Sequence, residues 1–493
     1  MNKAVIYSPT AIPPVRHARH DRRWLALLVL CLGVLMIVLD TTIVNVALPS
    51  IKMDLKFSAT TLAWVVNAYM LTYGGFLLLG GRLGDLYGHR RLFLTGIVVF
   101  TLASLGCGVS TTQPALIVAR CVQGLGGAVV TAVALSLIMD LFTEAADRAK
   151  AMGVYGFVCA GGGSLGAMLG GVLTSSLSWH WVFLVNLPIG IGVIVLSLRL
   201  LPPVSSEAAS RHLDVLGAVT VTAALMLAVY AIVNGNELGW TSQRTLGQLL
   251  IAVILLAAFL LIETRVRAPL MPLRLFKLRN LAVSNIVGVL WAAAMFAWFF
   301  LSALYMQLVL GYNPMEVGLA FLPANLIMAV FSLGISAKLV MRFGIRRPLA
   351  LGLLLAAAGL LLFARAPVGG HFLIDILPGM VLLGLGAGIA LNPVLLAAMS
   401  DVSASESGLA SGVVNTAFMM GGALGLAILA SLAASRSEGL LASGREQLAA
   451  LAGGYQSAFL AGACFAALGA LLGAVLLRTD TAAAEGGRAA SMP

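Results

Sequence analysis

The chain has 493 residues, of which 60 % are apolar and 10 % are charged, whereas about a quarter of the residues of a soluble protein are charged. Its mean hydropathy of +1.02 excludes an ordinary soluble protein. The net charge of +11 would suit a nucleic-acid partner, but the basic residues stand in short loops between apolar runs, so we expect a lipid bilayer and no nucleic acid as partner.

The N-terminal residues 1–23 form a polar tail that carries Arg and His. The apolar run that follows is longer than the core of a signal peptide, and no small-residue cleavage site follows it, so we expect the first helix to be retained. The five cysteines lie inside or at the ends of apolar runs without metal-ligand spacing. Neither a metal nor a cofactor is therefore expected.

The apolar runs predict an all-α polytopic membrane protein. About 20 apolar residues cross a bilayer core of roughly 30 Å as a helix, which divides the chain into about fourteen spans. A first six-helix bundle covers 24–200, an insert of two helices and a cytoplasmic linker covers 201–280, a second six-helix bundle covers 281–478, and a tail covers 479–493. The spans lie near 24–48, 59–80, 92–111, 114–140, 149–172, 180–200, 213–234, 246–264, 281–310, 316–337, 347–365, 375–399, 407–432 and 455–478.

The basic residues support this count. With a cytoplasmic N-terminus, 23 of the 30 Lys and Arg residues lie on the cytoplasmic side, 6 lie outside, and Arg120 lies within a span. Short cytoplasmic loops carry an excess of Lys and Arg, and one missed helix would invert every later loop. We therefore predict a multi-pass protein of the cytoplasmic (inner) membrane with both termini in the cytoplasm.

Asp40 is the acidic residue that lies deepest in a predicted span. It stands about 24 Å from the inner end and about 12 Å from the outer end of the first span, at 1.5 Å per residue. A carboxylate at that depth is costly unless it faces a wet cavity, pairs with a cation or takes up a proton. These properties predict a proton-coupling residue, and a static ion pair or helix clamp is the structural alternative.

Arg120 lies at a similar level, about 9 Å from the outer face of the fourth span. Gln123 and Gly124 follow at i+3 and i+4 and share its helix face. An arginine remains charged, so its approach would favour the ionised form of a nearby carboxyl group and its departure would favour proton uptake. Asp40 and Arg120 together predict a proton switch, with pairing to backbone carbonyls as the alternative for Arg120.

Several polar and aromatic residues within the spans are candidates for lining a substrate cavity. Helix–helix hydrogen bonding is the equally simple alternative for each of them. The candidates are Thr41, Asn45, Trp64, Asn67, Tyr69, Gln123, Asn186 and Asn415.

A repeat relates the two bundles. The segment GRLGDLYGHRR at 81–91 aligns without gaps with AKLVMRFGIRR at 337–347, so that Gly88 matches Gly344 at an offset of 256 residues. Both copies stand on a predicted cytoplasmic loop between the second and third helix of a six-helix set. Two related halves around a midplane site are a common transporter plan. Asp85 has Met341 as its counterpart, so the halves share a scaffold but differ in charge.

Several segments resemble motifs of the major facilitator superfamily. GRLGDLYGHRR resembles its signature loop, and ARCVQGLGGA at 119–128 resembles its fourth-helix motif. Other motifs resemble those of the fourteen-span drug:proton antiporter branch, which is of the multidrug efflux type. They cover nearly the whole chain and follow each other in the order that this branch has. The segments that carry this likeness are LDTTIVNVALP at 39–49, WHWVFLVNLPIG at 179–190, YMQLVLGYNPMEVGLAFLP at 305–323 and GLASGVVNTAFMMGGALG at 408–425.

The resemblance implies a major facilitator fold with two six-helix bundles plus two inserted helices. It also implies that the signature loop is a conformational latch, formed by Gly81, Asp85, Gly88, Arg90 and Arg91. Positive charge that orients the chain is the alternative role of that loop.

The fifth span carries GGGSLGAMLGG at 161–171, which resembles the antiporter motif. Ala167 stands where the family usually has proline, and His180 stands where a later motif commonly has arginine. The resemblance implies that Gly162, Gly166, Gly170 and Gly171 form an interface that seals or opens the pathway, with simple close packing as the compatible alternative.

The predicted function is proton-coupled export of small hydrophobic or cationic drugs, with antibiotic resistance as its outcome. Spans 9–14 show no mid-membrane acidic residue, which favours neutral, amphipathic or monovalent cationic substrates. A dedicated exporter of one endogenous antibiotic or siderophore would carry the same motifs. An importer, a passive channel and a membrane enzyme remain as less favoured classes, and no nucleophile–base pair or phosphate loop supports the enzyme. We expect a monomer.

Overall fold

The computed structural model describes residues 15–58, 60–142, 144–201, 214–266, 269–402 and 407–478. Every regular element in these ranges is helical, as the composition predicts, because a chain in lipid must satisfy its backbone groups internally. The predicted tail 479–493, most of the tail 1–23 and part of the linker within 201–280 lie outside the described residues.

The described residues of the first half contain seven helices, of which α6 and α7 follow each other so closely that they form one segment. A short 3₁₀ turn, Thr61–Ala63, leads into α2. The helices are α1 (Val15–Leu55), α2 (Trp64–Tyr87), α3 (His89–Gly108), α4 (Gln113–Leu141), α5 (Ala145–Ser176), α6 (Trp181–Leu184) and α7 (Asn186–Leu200).

Two helices of the insert and seven helices of the second half follow. A π-helical turn, Phe331–Ile335, joins α11 to α12, and another, Phe372–Ile376, leads into α14. The helices are α8 (Val215–Leu238), α9 (Gln243–Arg265), α10 (Arg279–Leu308), α11 (Pro314–Val330), α12 (Ser336–Phe343), α13 (Arg346–Phe363), α14 (Leu377–Met399), α15 (Ser407–Ala442) and α16 (Gln447–Leu476).

Twelve helical segments within the described residues are long and apolar enough to cross a membrane, and Leu165–Ser176 and Pro314–Val330 are shorter apolar helices. The chain is therefore a multi-pass membrane protein. The helix α1 begins at Val15, but the part of it that is long and apolar enough to span a membrane begins at Arg23, next to the predicted end of the tail 1–23. The polar residues 15–23 extend the apolar helix because they include no proline or glycine that would end it.

The helices form two bundles with the same packing plan. In the first bundle α1 packs on α5, and α4 packs on α2 and α3. In the second bundle α10 packs on α15, and α14 packs on α11 and α13. The bundles meet where α5 contacts α11 and where α2 contacts α15, and the inserted helix α8 packs on α9, α2 and α15.

Glycines show the repeat in three dimensions. Gly88 has φ +92° and Gly344 has φ +75°, so both copies of the predicted turn use a backbone conformation that favours glycine. The α3–α4 crossing is close at Gly96, where an added Cβ would lie 3.1 Å from the carbonyl oxygen of Gly126. Gly352 forms the equivalent crossing with Gly386 in the second half, 256 residues after Gly96, which is the offset that the sequence predicts.

Candidate functional site

Asp40 and Arg120 are in direct contact. Arg120 Nη1 donates to Asp40 Oδ2 at 2.5 Å, and the two side chains are 1 % and 0 % exposed, respectively. The charges lie on α1 and α4, and their contact places the two side chains at one level of the bundle. Burial removes both from water, so the ion pair depends on its other hydrogen bonds for compensation.

The second carboxylate oxygen accepts two amide donors. Gln123 Nε2 donates to Asp40 Oδ1 at 2.8 Å, and Asn186 Nδ2 donates to the same atom at 3.0 Å. The other Gln123 N–H donates to Ser104 Oγ at 2.8 Å, while Gln123 Oε1 accepts from Arg120 Nη1 at 2.7 Å. Because every polar atom of the Gln123 amide has a partner, the network fixes its orientation.

Arg120 is held by more than the carboxylate. Its Nε donates to the Val65 carbonyl oxygen at 2.8 Å, and its guanidinium carbon lies 4.4 Å from the centre of the Tyr69 ring. Phe183 flanks the guanidinium at 5.7 Å. A cation above a desolvated aromatic ring is stabilised by the ring's electron density, so Tyr69 and Phe183 help to retain the charge inside the bundle.

The ion-pair network, defined as Asp40, Arg120, Gln123, Asn186 and Ser104, joins four helices of the first bundle and reaches a fifth through Val65 of α2. The network is neutral while Asp40 is ionised, and it carries a charge of +1 once Asp40 takes up a proton. A single proton therefore changes the electrostatics of a dry site, where charge interactions are strong.

The sequence predicted Asp40 and Arg120 as a proton switch. It marked Gln123, Tyr69 and Asn186 as candidates for lining a cavity. It missed Ser104, Phe183 and the Val65 carbonyl group. Ser104 is one of several hydroxyl residues within spans, and nothing in its spacing marks it. Phe183 stands in the WHWVFLVNLPIG segment, so that segment held a signal, but an aromatic residue in an apolar helix reads first as a packing residue.

The other cavity candidates lie apart from this network. Thr41 Oγ1 donates to the Val38 carbonyl at 2.7 Å, and Asn45 Nδ2 donates to the Thr41 carbonyl at 3.3 Å, so both bond within α1. Trp64 packs 6.3 Å from Tyr230, and Asn415 is exposed and bonds to Ser411 of its own helix. Asn67 is fully buried, and within the described chain neither atom of its amide meets a partner.

The signature loop occupies the turn between α2 and α3. Gly88 ends α2 with its positive φ, and Arg90 Nη2 donates to the Leu198 carbonyl at 2.9 Å, which ties the loop to the end of α7. Arg91 is exposed, and Asp85 lies in α2 with a side chain outside the described residues. A Cβ at Gly81 would lie 3.9 Å from Ala132, an ordinary contact.

The glycines of α5 lie against two partners. Added Cβ atoms at Gly162, Gly166 and Gly170 would each meet α1, at Val38, Leu39 and Ile43 respectively. Gly171 instead lies against α11, where a Cβ would come 2.6 Å from the Pro314 carbonyl oxygen. The predicted interface is therefore split between the α1–α5 contact inside the first bundle and the α5–α11 contact between bundles.

A second polar contact lies at the predicted outer end of α1. Trp179 Nε1 donates to Asp54 Oδ2 at 2.8 Å, and the ring of His180 stacks on Trp179 with centroids 3.7 Å apart. Burial lowers the pKa of His180 below its ordinary value, and the negative charge of Asp54 partly opposes that effect.

The two helix bundles meet along α2–α15 and α5–α11, and one of them holds a buried ion pair. This architecture is that of a polytopic membrane transport protein. The chain belongs to the Major Facilitator Superfamily, because the sequence profile of that family matches residues 30–426.

Two curated relatives match almost end to end. The puromycin resistance protein Pur8 of Streptomyces alboniger is 38 % identical and aligns over 94 % of this chain and 93 % of its own length. The cephamycin export protein CmcT of Amycolatopsis lactamdurans is 38 % identical over 92 % of each chain.

Solved structures show the same fold. The inward-facing, unoccupied structure of a bacterial homologue of the human lysosomal transporter Spinster superposes with a TM-score of 0.66. That comparison covers 92 % of this chain and 97 % of the other chain. The sequence identity is 16 %, so this similarity extends to the fold alone.

Proposed function

We propose that this protein is a proton-coupled antiporter that exports hydrophobic or amphipathic drugs across the cytoplasmic membrane by alternating access. The observation that carries the proposal is the buried contact between Asp40 and Arg120. The names of two relatives, puromycin resistance and cephamycin export, support export as the direction of transport. Small neutral or monovalent cationic compounds, protons and the bilayer are the partners, and the monomer is the working unit.

Fourteen spans with both termini in the cytoplasm complete the proposed topology. Twelve apolar segments are long enough to span, and α5 together with the α11–α12 segment would supply the other two. The excess of Lys and Arg in loops on the side of the termini supports this orientation.

Asp40 is the proposed proton carrier. When it binds a proton, the attraction that holds Arg120 falls, while Gln123 and the Val65 carbonyl still accept from the guanidinium. The neutral carboxyl group then permits a different arrangement of α1 against α4. Each proton that moves down the membrane potential supplies about 2.3 kcal/mol per 100 mV.

The close glycine contacts offer a route from Asp40 to the second bundle. Gly166 lies against the carbonyl of Leu39, next to Asp40 in α1, so a shift of α1 must move α5. Gly171 at the far end of α5 lies against Pro314 and Met315 of α11. A change at Asp40 therefore reaches the contact between the bundles through two packed helices.

The signature loop is the proposed latch of the cytoplasmic side. Arg90 holds the end of α7 in this conformation, and His89 Nδ1 lies 3.0 Å from Asp140 Oδ2 of α4. Gly88 allows the chain to reverse between α2 and α3. Arg91 is exposed and is the proposed charge that engages another partner when the bundles close.

A dedicated exporter of one endogenous antibiotic is the second candidate. The observation that favours it is that both relatives carry the name of a single antibiotic or antibiotic class. A panel of unrelated toxic compounds in an efflux-deficient strain separates the two: resistance to several compounds supports a drug exporter, and resistance to one supports the dedicated exporter.

The test of the proton carrier uses purified protein in proteoliposomes with an imposed pH gradient. We expect Asp40→Asn to abolish gradient-driven dye exchange, because the amide binds no proton in the working range. Asp54→Asn is the matched control, since it makes the same change at the C-terminal end of α1, away from the ion pair, and keeps an acceptor for Trp179. Unimpaired proton-driven exchange by Asp40→Asn would remove Asp40 from the mechanism.

A further inference from the structure

A cavity of about 450 Å³ lies between the inserted helices and both bundles. Gly75 and Leu78 of α2 form one wall. Residues of α8, α9, α10 and α15 form the others, together with the linker that joins α9 to α10. Pockets for drug-sized ligands fall in the range of about 300–1,000 Å³. Asn285 and Thr416 are the polar residues of a lining that is otherwise apolar and includes Leu256, Leu260, Val289 and Ala417.

Two polar atoms in this apolar lining have no partner in the described chain. They are Asn285 Oδ1 and Thr416 Oγ1, on side chains of residues that are 6 % and 7 % exposed. Asn285 Nδ2 donates to the Leu281 carbonyl at 2.9 Å, so its carbonyl oxygen is the atom left over. Buried polar atoms in native proteins are nearly always bonded, which points to a ligand that supplies the missing bonds.

The cavity opens toward the membrane. Leu256 and Leu260, one turn apart on α9, are 40 % and 41 % exposed, and Ile286 on α10 is 52 % exposed. These three apolar residues line the cavity and also form part of the surface that lipid covers. A hydrophobic compound dissolved in the bilayer therefore reaches the cavity without crossing water.

The wall formed by the linker is fixed in place. Met271 N donates to Glu263 Oε2 at 3.0 Å, which attaches the linker to the end of α9. The opposite walls belong to different bundles, because Leu78 lies on α2 and Thr416 lies on α15. Any change in the angle between the bundles must alter the shape of the cavity, so a ligand here binds the two conformations of the transporter differently.

We propose that this cavity is a binding site for a neutral, apolar compound that carries a hydrogen-bond donor and enters from the membrane. The identification of that compound as an export substrate rests on the proposed function. The acyl chain of a lipid fits the apolar walls but supplies no bond to Asn285 Oδ1 or Thr416 Oγ1. A compound with an N–H or O–H group satisfies these atoms, since a carboxamide oxygen accepts and a threonine hydroxyl donates or accepts.

The test uses N-phenyl-1-naphthylamine, a neutral arylamine with one N–H donor, on the full-length protein in phospholipid nanodiscs. Val289→Cys places a thiol in the cavity and Ile254→Cys places one on the exposed face of α9, each in a background without the native cysteines. We expect the amine to slow N-ethylmaleimide labelling at position 289 in a saturable way and to leave labelling at position 254 unchanged.

The lining variants define the site. Asn285→Leu combined with Thr416→Val should raise the amine concentration for half-protection tenfold or more, and Ala417→Phe should abolish protection by filling the cavity. Thr220→Val is the matched control, because it removes a hydroxyl from α8 that already bonds to Leu216. Thr416→Val alone is nearly isosteric, so it reports on the site even if the filled variant fails to fold.

The inference is overturned if the amine protects both cysteines equally, or if the lining variants bind it as tightly as the parent. It is also overturned if nanodisc lipid gives the same protection without the amine as with it. The proposed function is tested separately by proton-driven export from vesicles. Saturable binding without any export would contradict the proposed function and leave the cavity site standing.

Discussion

Gly166 of α5 lies directly against the carbonyl group of Leu39 on α1, the residue before Asp40. A Cβ at position 166 would come 2.8 Å from the Leu39 oxygen, closer than real Cβ contacts allow. The backbone of α1 that carries the ion pair is thus packed on a helix that also contacts the second bundle.

Gly166→Ala should therefore damage the protein although alanine favours helices. We expect the forced separation of α1 and α5 to lower stability by about 1–3 kcal/mol, the usual effect of overpacking, and to reduce transport more than tenfold. Thermal unfolding in detergent and vesicle transport measure the two effects. Gly192→Ala is the control, because no atom lies within 4 Å of an added Cβ there. Equal behaviour of the two variants would contradict the tight α1–α5 contact.

The ion pair predicts non-additive effects of substitution. Asp40→Asn and Arg120→Gln each leave one uncompensated buried charge, so each should lower the free energy of unfolding by about 3–5 kcal/mol. The double variant removes both charges and should be more stable than the sum of the single effects predicts, by about 2 kcal/mol.

The matched cycle pairs Arg120→Gln with Asp54→Asn. Asp54 lies 14 residues after Asp40 in the same helix, about 21 Å away, so these effects should add. Unfolding of each purified variant in mixed micelles gives the four free energies of each cycle. Additive effects for Asp40 and Arg120 would mean that the pair contributes nothing beyond its separate residues.

The sequence singles out the two charges because few charged residues stand inside its apolar runs. Residue counting did not fix the level of Asp40: α1 ends at Leu55, so Asp40 lies 15 residues, about 22 Å, from that end and not the predicted 12 Å. The contact with Arg120 places the two side chains at one level. The other members of the network did not follow from the sequence. Asn186, which donates to Asp40, and Ser104, which accepts from Gln123, reach the site only through the way in which α7 and α3 pack. The cavity between the inserted helices and the bundles could not be predicted from the sequence. Its polar atoms lie on α10 and α15, and its walls are formed by five helices and a linker.

The glycines of the signature loop show the same limit. The sequence indicates where the loop lies, but the packing of α2 on α4 determines which of its glycines could accept a side chain. Gly88 was placed in the predicted loop between two helices, and its φ of +92° shows a turn there. Gly81 was also predicted to matter, yet a Cβ there would make an ordinary contact. Gly84, which the sequence did not mark, lies where a Cβ would come 2.6 Å from Val133 Cγ1 and 2.7 Å from His89 Cδ2.

Alanine substitutions should therefore rank these three positions. Gly88→Ala forces on alanine a positive φ that residues with a Cβ rarely adopt, which costs about 1–3 kcal/mol. Gly84→Ala crowds Val133 of α4, which also costs about 1–3 kcal/mol. Gly81→Ala should be neutral or stabilising by up to about 1 kcal/mol, because alanine favours the helix. Thermal unfolding of the three variants measures the order, and a more damaging Gly81→Ala would show that position 81 closes against another surface during transport.

His180 predicts a pH dependence of stability at the outer end of α1. Burial lowers the pKa of its imidazole in the folded protein, so the unfolded chain binds a proton at higher pH than the folded chain does. Stability therefore rises with pH through this window, and it falls as acidification passes the ordinary histidine value of about 6.5 toward the lowered one. His180→Gln should remove this component of the pH profile, whereas His371→Gln should retain it. The measurement is the unfolding temperature of each variant between pH 5 and pH 8, and identical slopes for His180→Gln and the parent protein would show that the stacked imidazole does not sense pH.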